Sequence, residues 1–270
     1  MDIKSDLHTH SLFSDGSASI DSMVRTAAEK GLTTIAVTDH MPLPYKTRYA
    51  MDMDEISIYR KEILAAQQRY GDRIKVLAGI EIEYSPELSE WIQSLAEMDW
   101  DYQIASVHTL FVGGRPYLVN GNRQEFDEGL SQAFRGDIRA LCGRYFSSLK
   151  KAAATGWFDT AGHLDVVKKH NDGFFKETDP WYRAMVMETL EILKDQNMKM
   201  EINTSGLLQF PQVQYPSAWI IQEAVQMGIP LVFGSDSHRP ETLGHSFQSL
   251  SVSLFPPSEK TAMPSCGRIS

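Results

Sequence analysis

Short runs of β-branched and apolar residues recur along the chain, and the intervals between them carry a helical repeat or turn residues. Seven such runs are expected to be strands, ending near Leu7, Asp39, Ile80, Val107, Gly162, Ile202 and Ser235. Thr34-Ile35-Ala36-Val37-Thr38 and Leu231-Val232-Phe233 are typical of them. Between the first two, Ile20, Val24 and Ala27 fall on one helical face, and Gly31 follows where a helix end favours a left-handed residue. Further faces are drawn by Tyr59, Ile63 and Ala66, by Val186, Leu190 and Leu193, and by Ala218, Ile221 and Val225 before Gly228. Strands and helices in alternation define an α/β chain, whose right-handed crossovers build either a closed barrel or a doubly wound sheet. One interval, from about Gly113 to Gly156, is longer: Gly113-Gly114 marks a loop and Leu141, Phe146 and Leu149 a helix. It is expected to be an insertion that covers a substrate.

After about Phe255 the pattern stops, and Pro256-Pro257-Ser258 opens a polar stretch expected to be a disordered tail over residues 256–270, leaving 1–255 as one folded domain. At 270 residues with 42% hydrophobic content the chain can bury one core by itself, as a barrel of this length does. No apolar run is long enough to cross a bilayer, and the N-terminus lacks the basic and apolar parts of a signal peptide, so a cytoplasmic location is expected. The two cysteines, Cys142 and Cys266, do not suggest a disulfide framework. A formal net charge of -9 provides no basic field for nucleic acid or anionic lipid, so an anionic substrate needs a local positive centre, which bound metal can supply.

Six of the eight histidines sit at or just beyond expected strand ends: His8, His10, His40, His108, His163 and His238. Carboxylates accompany them: Asp15, Glu81, Glu83 and Asp236. In a parallel α/β fold the carboxyl ends of the strands share one face, so these residues are expected to meet in one pocket. A lone His-x-His, or a lone Asp-His, is commonplace in cores and turns; the joint placement is what matters, because six imidazoles crowded together are costly unless a cation organises them. Imidazole with carboxylate suits zinc, manganese or iron rather than calcium or magnesium. About nine candidate ligands exceed what one such ion takes, so two to three divalent ions are expected. His170 and His245 lack strand-end placement and read as ordinary loop residues.

The ordered set His8-Thr9-His10 with Asp15, Thr38-Asp39-His40, Gly79-Ile80-Glu81, Ser106-Val107-His108, Gly162-His163 and Gly234-Ser235-Asp236-Ser237-His238 resembles the polymerase and histidinol phosphatase (PHP) superfamily of metal-dependent phosphoesterases. Gly162-His163-Leu164-Asp165-Val166-Val167-Lys168-Lys169 and Glu201-Ile202-Asn203-Thr204-Ser205-Gly206-Leu207 are similar to its histidinol-phosphate phosphatases. The resemblance implies a distorted (β/α)7 barrel with up to three metal ions. It implies one ion on His8, His10, Glu81 and Asp236, a second on Glu81, His108 and His163, and a third on Asp15, His40 and His238.

The function so implied is hydrolysis of a small phosphomonoester, histidinol phosphate first, within histidine biosynthesis. No catalytic side chain is expected beyond the metal ligands: water held between ions beside Glu81 is the expected nucleophile, and the third ion the expected grip on phosphate. Arg115, Lys168 and Arg239 each follow a strand-end motif and are the candidate phosphate-binding cations, with solvated surface charge as the alternative. Two rival readings are a phosphoesterase acting on another small ester or nucleotide, and a noncatalytic metal-binding regulatory module. A metal-dependent amidohydrolase also uses His-x-His in a barrel, but the Asp-His and Ser-Asp-Ser-His elements point away from it.

Overall fold

Parallel strands follow one another in chain order around one sheet: β1 (Ser5–Asp6), β2 (Thr34–Val37), β3 (Lys75–Glu83) and β4 (Tyr102–Ser106). A hairpin of β5 (Thr109–Val112) and β6 (Arg115–Leu118) intervenes, and β7 (Thr160–Ala161), β8 (Lys199–Asn203) and β9 (Leu231–Gly234) complete the sheet. The computed structural model describes residues 2–209 and 212–255; the expected tail at 256–270 lies outside them. The sheet order is β1-β2-β3-β4-β7-β8-β9, and its two ends meet. Leu7 N donates to Phe233 O at 3.1 Å, Asp236 N to His8 O at 2.8 Å and His10 N to Ser237 O at 2.9 Å. The doubly wound alternative is therefore excluded, and the sheet is the distorted seven-stranded barrel.

Helices α1 (Ile20–Glu29), α2 (Ile56–Tyr70) and α3 (Ser89–Ala96) return the chain between the first four strands. Ser19 caps α1 by accepting from Ser22 N, and Gly31 just beyond its end has φ 80°. The long interval divides in two. Gly113 and Gly114, at φ 59° and 77°, make the tight turn between β5 and β6, the backbone sign such hairpin turns require. Helix α4 (Arg123–Phe134) follows, started by a reciprocal Asn122–Glu125 capping box. Helix α5 (Ile138–Thr155), by contrast, is the crossover from β4 to β7, so only the hairpin and α4 are additions to the barrel. Helices α6 (Pro180–Asp195), α7 (Ala218–Met227) and α8 (Phe247–Leu254) complete the outer layer. In α7 the buried face is Ile220, Ile221 and Ala224, and Val225 is exposed. This helix is apolar on most sides, so periodicity could not choose its inner face.

Strand alternation then decides what faces inward. Ile80 and Ile82 join the main core beneath the helices, and so the alternate residues Glu81 and Glu83 face the other way. The same rule sends Met200 and Ile202 into the main core and leaves Glu201 and Asn203 on the inner side. The lower barrel interior is a small separate cluster of Ala36, Tyr102 and Ile104 against Leu7 and Leu77. Glycines make this narrow interior possible: a Cβ at Gly162 would stand 2.6 Å from Ser106 Oγ, and one at Gly234 would collide with Glu201 Oε1.

Tyr59 of α2 ties helix to barrel. Its buried hydroxyl lies 2.8 Å from Val37 O and 2.9 Å from Gly79 O, and accepts from Asp39 N at 3.2 Å. Tyr59→Phe leaves the Asp39 amide without a partner and is expected to destabilise the fold by about 1–3 kcal/mol. Denaturant unfolding is the measurement, and an unchanged midpoint at constant slope would contradict the assignment.

Candidate metal centre

All six strand-end histidines and their carboxylates converge at the C-terminal mouth of the barrel. Glu81, only 1% exposed, is the hub. Its Oε2 stands 2.7 Å from His40 Nδ1, 3.4 Å from His8 Nε2 and 3.7 Å from His10 Nε2, while Oε1 stands 3.1 Å from His163 Nε2 and 3.4 Å from His108 Nε2. Asp236 Oδ1 lies 3.1 Å from His10 Nε2, and Asp15 Oδ1 lies 3.1 Å from His238 Nε2. Asp236 takes a left-handed backbone, φ 52°, in the turn that delivers both it and His238 to the basin.

The donor set fits divalent cations. His8 Nε2, His10 Nδ1 and His163 Nδ1 are buried without a hydrogen-bond partner among the described residues, and His108 Nε2 and His163 Nε2 face each other at 3.0 Å. Orphaned imidazole nitrogens at this density are what an ion would satisfy. Three groups bring their donor atoms within 4.8 Å of one another: His8, His10 and Asp236; His10, Asp15, His40 and His238; and His40, Glu81 and His108. These overlap the expected sets, but His10 and His40 each stand between two groups.

The imidazoles are aimed by groups behind them. His8 Nδ1 is 2.7 Å from Glu201 Oε1, His108 Nδ1 is 3.0 Å from Glu83 Oε2, and His238 Nδ1 is 2.9 Å from the Asp236 carbonyl. Each such contact leaves Nε2 for the basin, the arrangement that fixes tautomer and ring direction at metal sites. Glu201 also accepts from His163 N at 2.7 Å, joining β1 to β7. Its role was not foreseen; the available signal was a carboxylate inside an otherwise buried strand. Asp39 accepts from Ser11 N at 2.7 Å and Ser14 Oγ at 2.6 Å, holding the loop that carries Asp15.

Charge in the basin is strongly coupled. Burial pushes the Glu81 carboxyl up, but His40, His8 and His108 outweigh it and hold Glu81 well below the usual range. Burial opposes a proton on His40, yet Glu81 raises it to about 9. Burial, with His238 and His40 beside it, lowers His10 to about 3. The carboxylates thus draw positive charge onto neighbouring rings, and a divalent ion would compete with protons for those nitrogens.

The basin opens into a cavity of about 230 Å³ whose wall includes Asn120, Lys169, Ser205 and Tyr215 beside the histidines. Arg239 lines the adjoining rim with Asp15 and His238. Lys168 is not on this wall: its ammonium is held 2.8 Å from buried Asp165 and bonds to Ser217. One helical position further, Lys169 reaches the cavity, with Nζ donating to Asn120 O at 2.7 Å. Arg115 lies in a separate, larger cavity, its guanidinium 5.8 Å from the Tyr117 ring. His170 and His245 make backbone contacts, to Gly121 O at 2.8 Å and Thr204 O at 2.7 Å, away from the cluster.

A closed parallel barrel with clustered imidazoles and carboxylates at its mouth defines a metal-binding barrel of the phosphoesterase type. Residues 6–205 match the PHP domain model, and the chain belongs to that family. It is 32% identical over 228 residues to a "Probable histidinol-phosphatase" of Deinococcus radiodurans, covering 83% of this chain and 81% of the relative. It is 27% identical over 263 residues to the histidinol-phosphatase of Bacillus subtilis, covering 91% and 97%. The fold superposes on hisK of Listeria monocytogenes with a TM-score of 0.82 at 20% identity, over 91% of this chain and 99% of that one. It also superposes on the histidinol phosphate phosphatase of Lactococcus lactis, solved with zinc, L-histidinol and phosphate, with a TM-score of 0.71 at 22% identity and 93% coverage of each chain.

Glu201→Gln is expected to weaken metal retention by roughly 10- to 100-fold, because His8 loses the acceptor that orients it. Competition with a chromophoric chelator reads the change, with circular dichroism to verify the fold. Unaltered retention would remove Glu201 from the centre.

Proposed function

We propose that the protein hydrolyses L-histidinol phosphate to L-histidinol and phosphate, as a cytoplasmic metal-dependent phosphomonoesterase of histidine biosynthesis built on residues 1–255. The observation that carries this reading is the hub: five imidazoles surround one buried carboxylate at the floor of an open cavity. The named relatives supply the substrate.

Two to three zinc, manganese or iron ions would be held by His8, His10, Asp15, His40, Glu81, His108, His163, Asp236 and His238. Bound ions of this kind supply a means of ionising water near neutral pH and positive charge for phosphoryl oxygens. The chain's own share is positioning. Glu83 and Glu201 keep His108 and His8 aimed inward, and Ser205 Oγ, 3.0 Å from Asp236 Oδ2, restrains that carboxylate. Lys169 and Arg239 stand on the cavity wall and rim, where they add positive charge to draw in a phosphate dianion that the overall charge of -9 would repel. Among the described residues no helix is long and apolar enough to cross a membrane.

Enzyme supplied with manganese, zinc or iron is expected to release phosphate from histidinol phosphate in preference to a panel of other small phosphomonoesters. His8→Ala and Asp236→Ala should reduce release to background, whereas full activity after thorough demetallation would end the reading.

The two neighbouring lysines should separate cleanly. Lys169→Ala is expected to raise KM with folding intact. Lys168→Ala leaves buried Asp165 unpaired and should cost about 3–5 kcal/mol of stability. Kinetics and thermal melts on both variants test this, and the reverse pattern would refute it.

A further inference from the structure

The chain holds five asparagines, Asn120, Asn122, Asn171, Asn197 and Asn203, and Asn120 alone is followed by glycine. Loss of an asparagine's side-chain amide requires the next backbone nitrogen to attack Cγ, and a following glycine offers that nitrogen with no Cβ in the way. Hydrogen bonds restrain the other four. Asn122 Oδ1 accepts from Glu125 N at 3.0 Å, and Asn171 is tied to Phe175 through both side-chain polar atoms. Met198 N, after Asn197, donates to Leu193 O at 2.9 Å, and Thr204 N, after Asn203, donates to Gly234 O at 3.0 Å. Among the described residues neither Gly121 N nor the Asn120 side-chain amide has a hydrogen-bond partner.

The carbonyls on either side of that nitrogen are held instead. Lys169 Nζ donates to Asn120 O at 2.7 Å, and His170 Nε2 lies 2.8 Å from Gly121 O. Asn120 C=O and Gly121 N belong to one peptide group, so charge left on the nitrogen when its proton departs spreads onto the oxygen that the ammonium faces. A cation at that oxygen therefore favours the nucleophilic form of the nitrogen. The segment also lies between β6 and α4, outside any ladder or helix that would fix its backbone. Its position gives the site a consequence. Asn120 lines the metal cavity together with Lys169, and it lines the narrower space beside it that Asp15, His40 and His108 share.

We infer that Asn120 is a self-modification site, at which the Gly121 nitrogen, activated through Lys169, displaces the side-chain amide and leaves a carboxylate on the wall of the metal cavity. The Gly121 nitrogen gives up its proton and bonds to Asn120 Cγ, the Cγ–Nδ2 bond breaks, and Nδ2 leaves with the proton as ammonia. The succinimide so formed takes up solvent water. Addition at Cγ breaks the new bond and yields aspartate; addition at the main-chain carbonyl breaks the old peptide bond and yields isoaspartate. Either product sets a negative charge beside Lys169, where it opposes a phosphate dianion, so phosphate affinity declines as the molecule ages. That consequence rests on the proposed phosphatase reading, whereas the modification does not.

The test holds the folded, metal-loaded full chain at mildly alkaline pH and follows each asparagine separately by tandem mass spectrometry of its peptides. Asn120 is expected to lose its amide about tenfold faster than any of the other four, and Lys169→Met to slow that loss by about tenfold. An Asn120 that stays amidated, or that converts no faster than Asn122, overturns the site. An undiminished rate in Lys169→Met, with circular dichroism unchanged, overturns its activation. Asn120→Asp reads the consequence: inorganic phosphate titrated calorimetrically should bind this variant about tenfold more weakly than unaltered metal-loaded protein, and equal affinity overturns that part. If phosphate does not bind the unaltered protein, the phosphatase reading falls on that result, and the mass measurement still decides the modification.

Discussion

A carboxylate with almost no solvent contact sits among five imidazoles from four strand ends, and the rest of the mouth is arranged around it. Glu81 could not remain ionised there alone, because desolvation works against its charge. The rings that stabilise it come from the ends of β1, β2, β4 and β7, so the electrostatic balance of one residue depends on the whole circle of strands. Removing such a hub would leave mutually repelling rings and unpaired nitrogens in a buried place. Mouth and barrel are in that sense one object.

A layer of orienting groups separates this centre from ordinary structure. Glu201, Glu83 and Asp39 are buried, and each uses both oxygens. They fix ring direction and loop shape through hydrogen bonds to backbone amides as well as to side chains. The glycine at 234 belongs to the same layer, because the Glu201 carboxylate occupies the space a side chain would take. Precision at the mouth is thereby set by residues that themselves present little surface.

Much of this was legible in the chain. The seven strands, the βα alternation and the gathering of six histidines follow from periodicity and from where polar residues interrupt apolar runs. Barrel closure was not readable from pattern, since the same alternation also suits an open sheet; it rests on hydrogen bonds between the first and last strands. Lys168 and Lys169 show a finer limit. Adjacent lysines look equivalent in sequence, and only the buried Asp165 determines which of them is drawn away from the cavity. Arg115 follows a strand-end motif, yet the hairpin carries it into the neighbouring chamber. Glu201 was missed because a single acid in a strand has no distinguishing spacing, and its meaning comes from His8, far away in sequence.

Joining β9 to β1 has a temporal corollary. Asp236 and His238 arrive just after the last barrel strand, so a chain emerging from the ribosome holds every other donor before it can assemble the full cluster. Loose donors meanwhile remain exposed to whatever cations are abundant. The full donor set is then a property of the finished ring, and the order of synthesis postpones it to the final step.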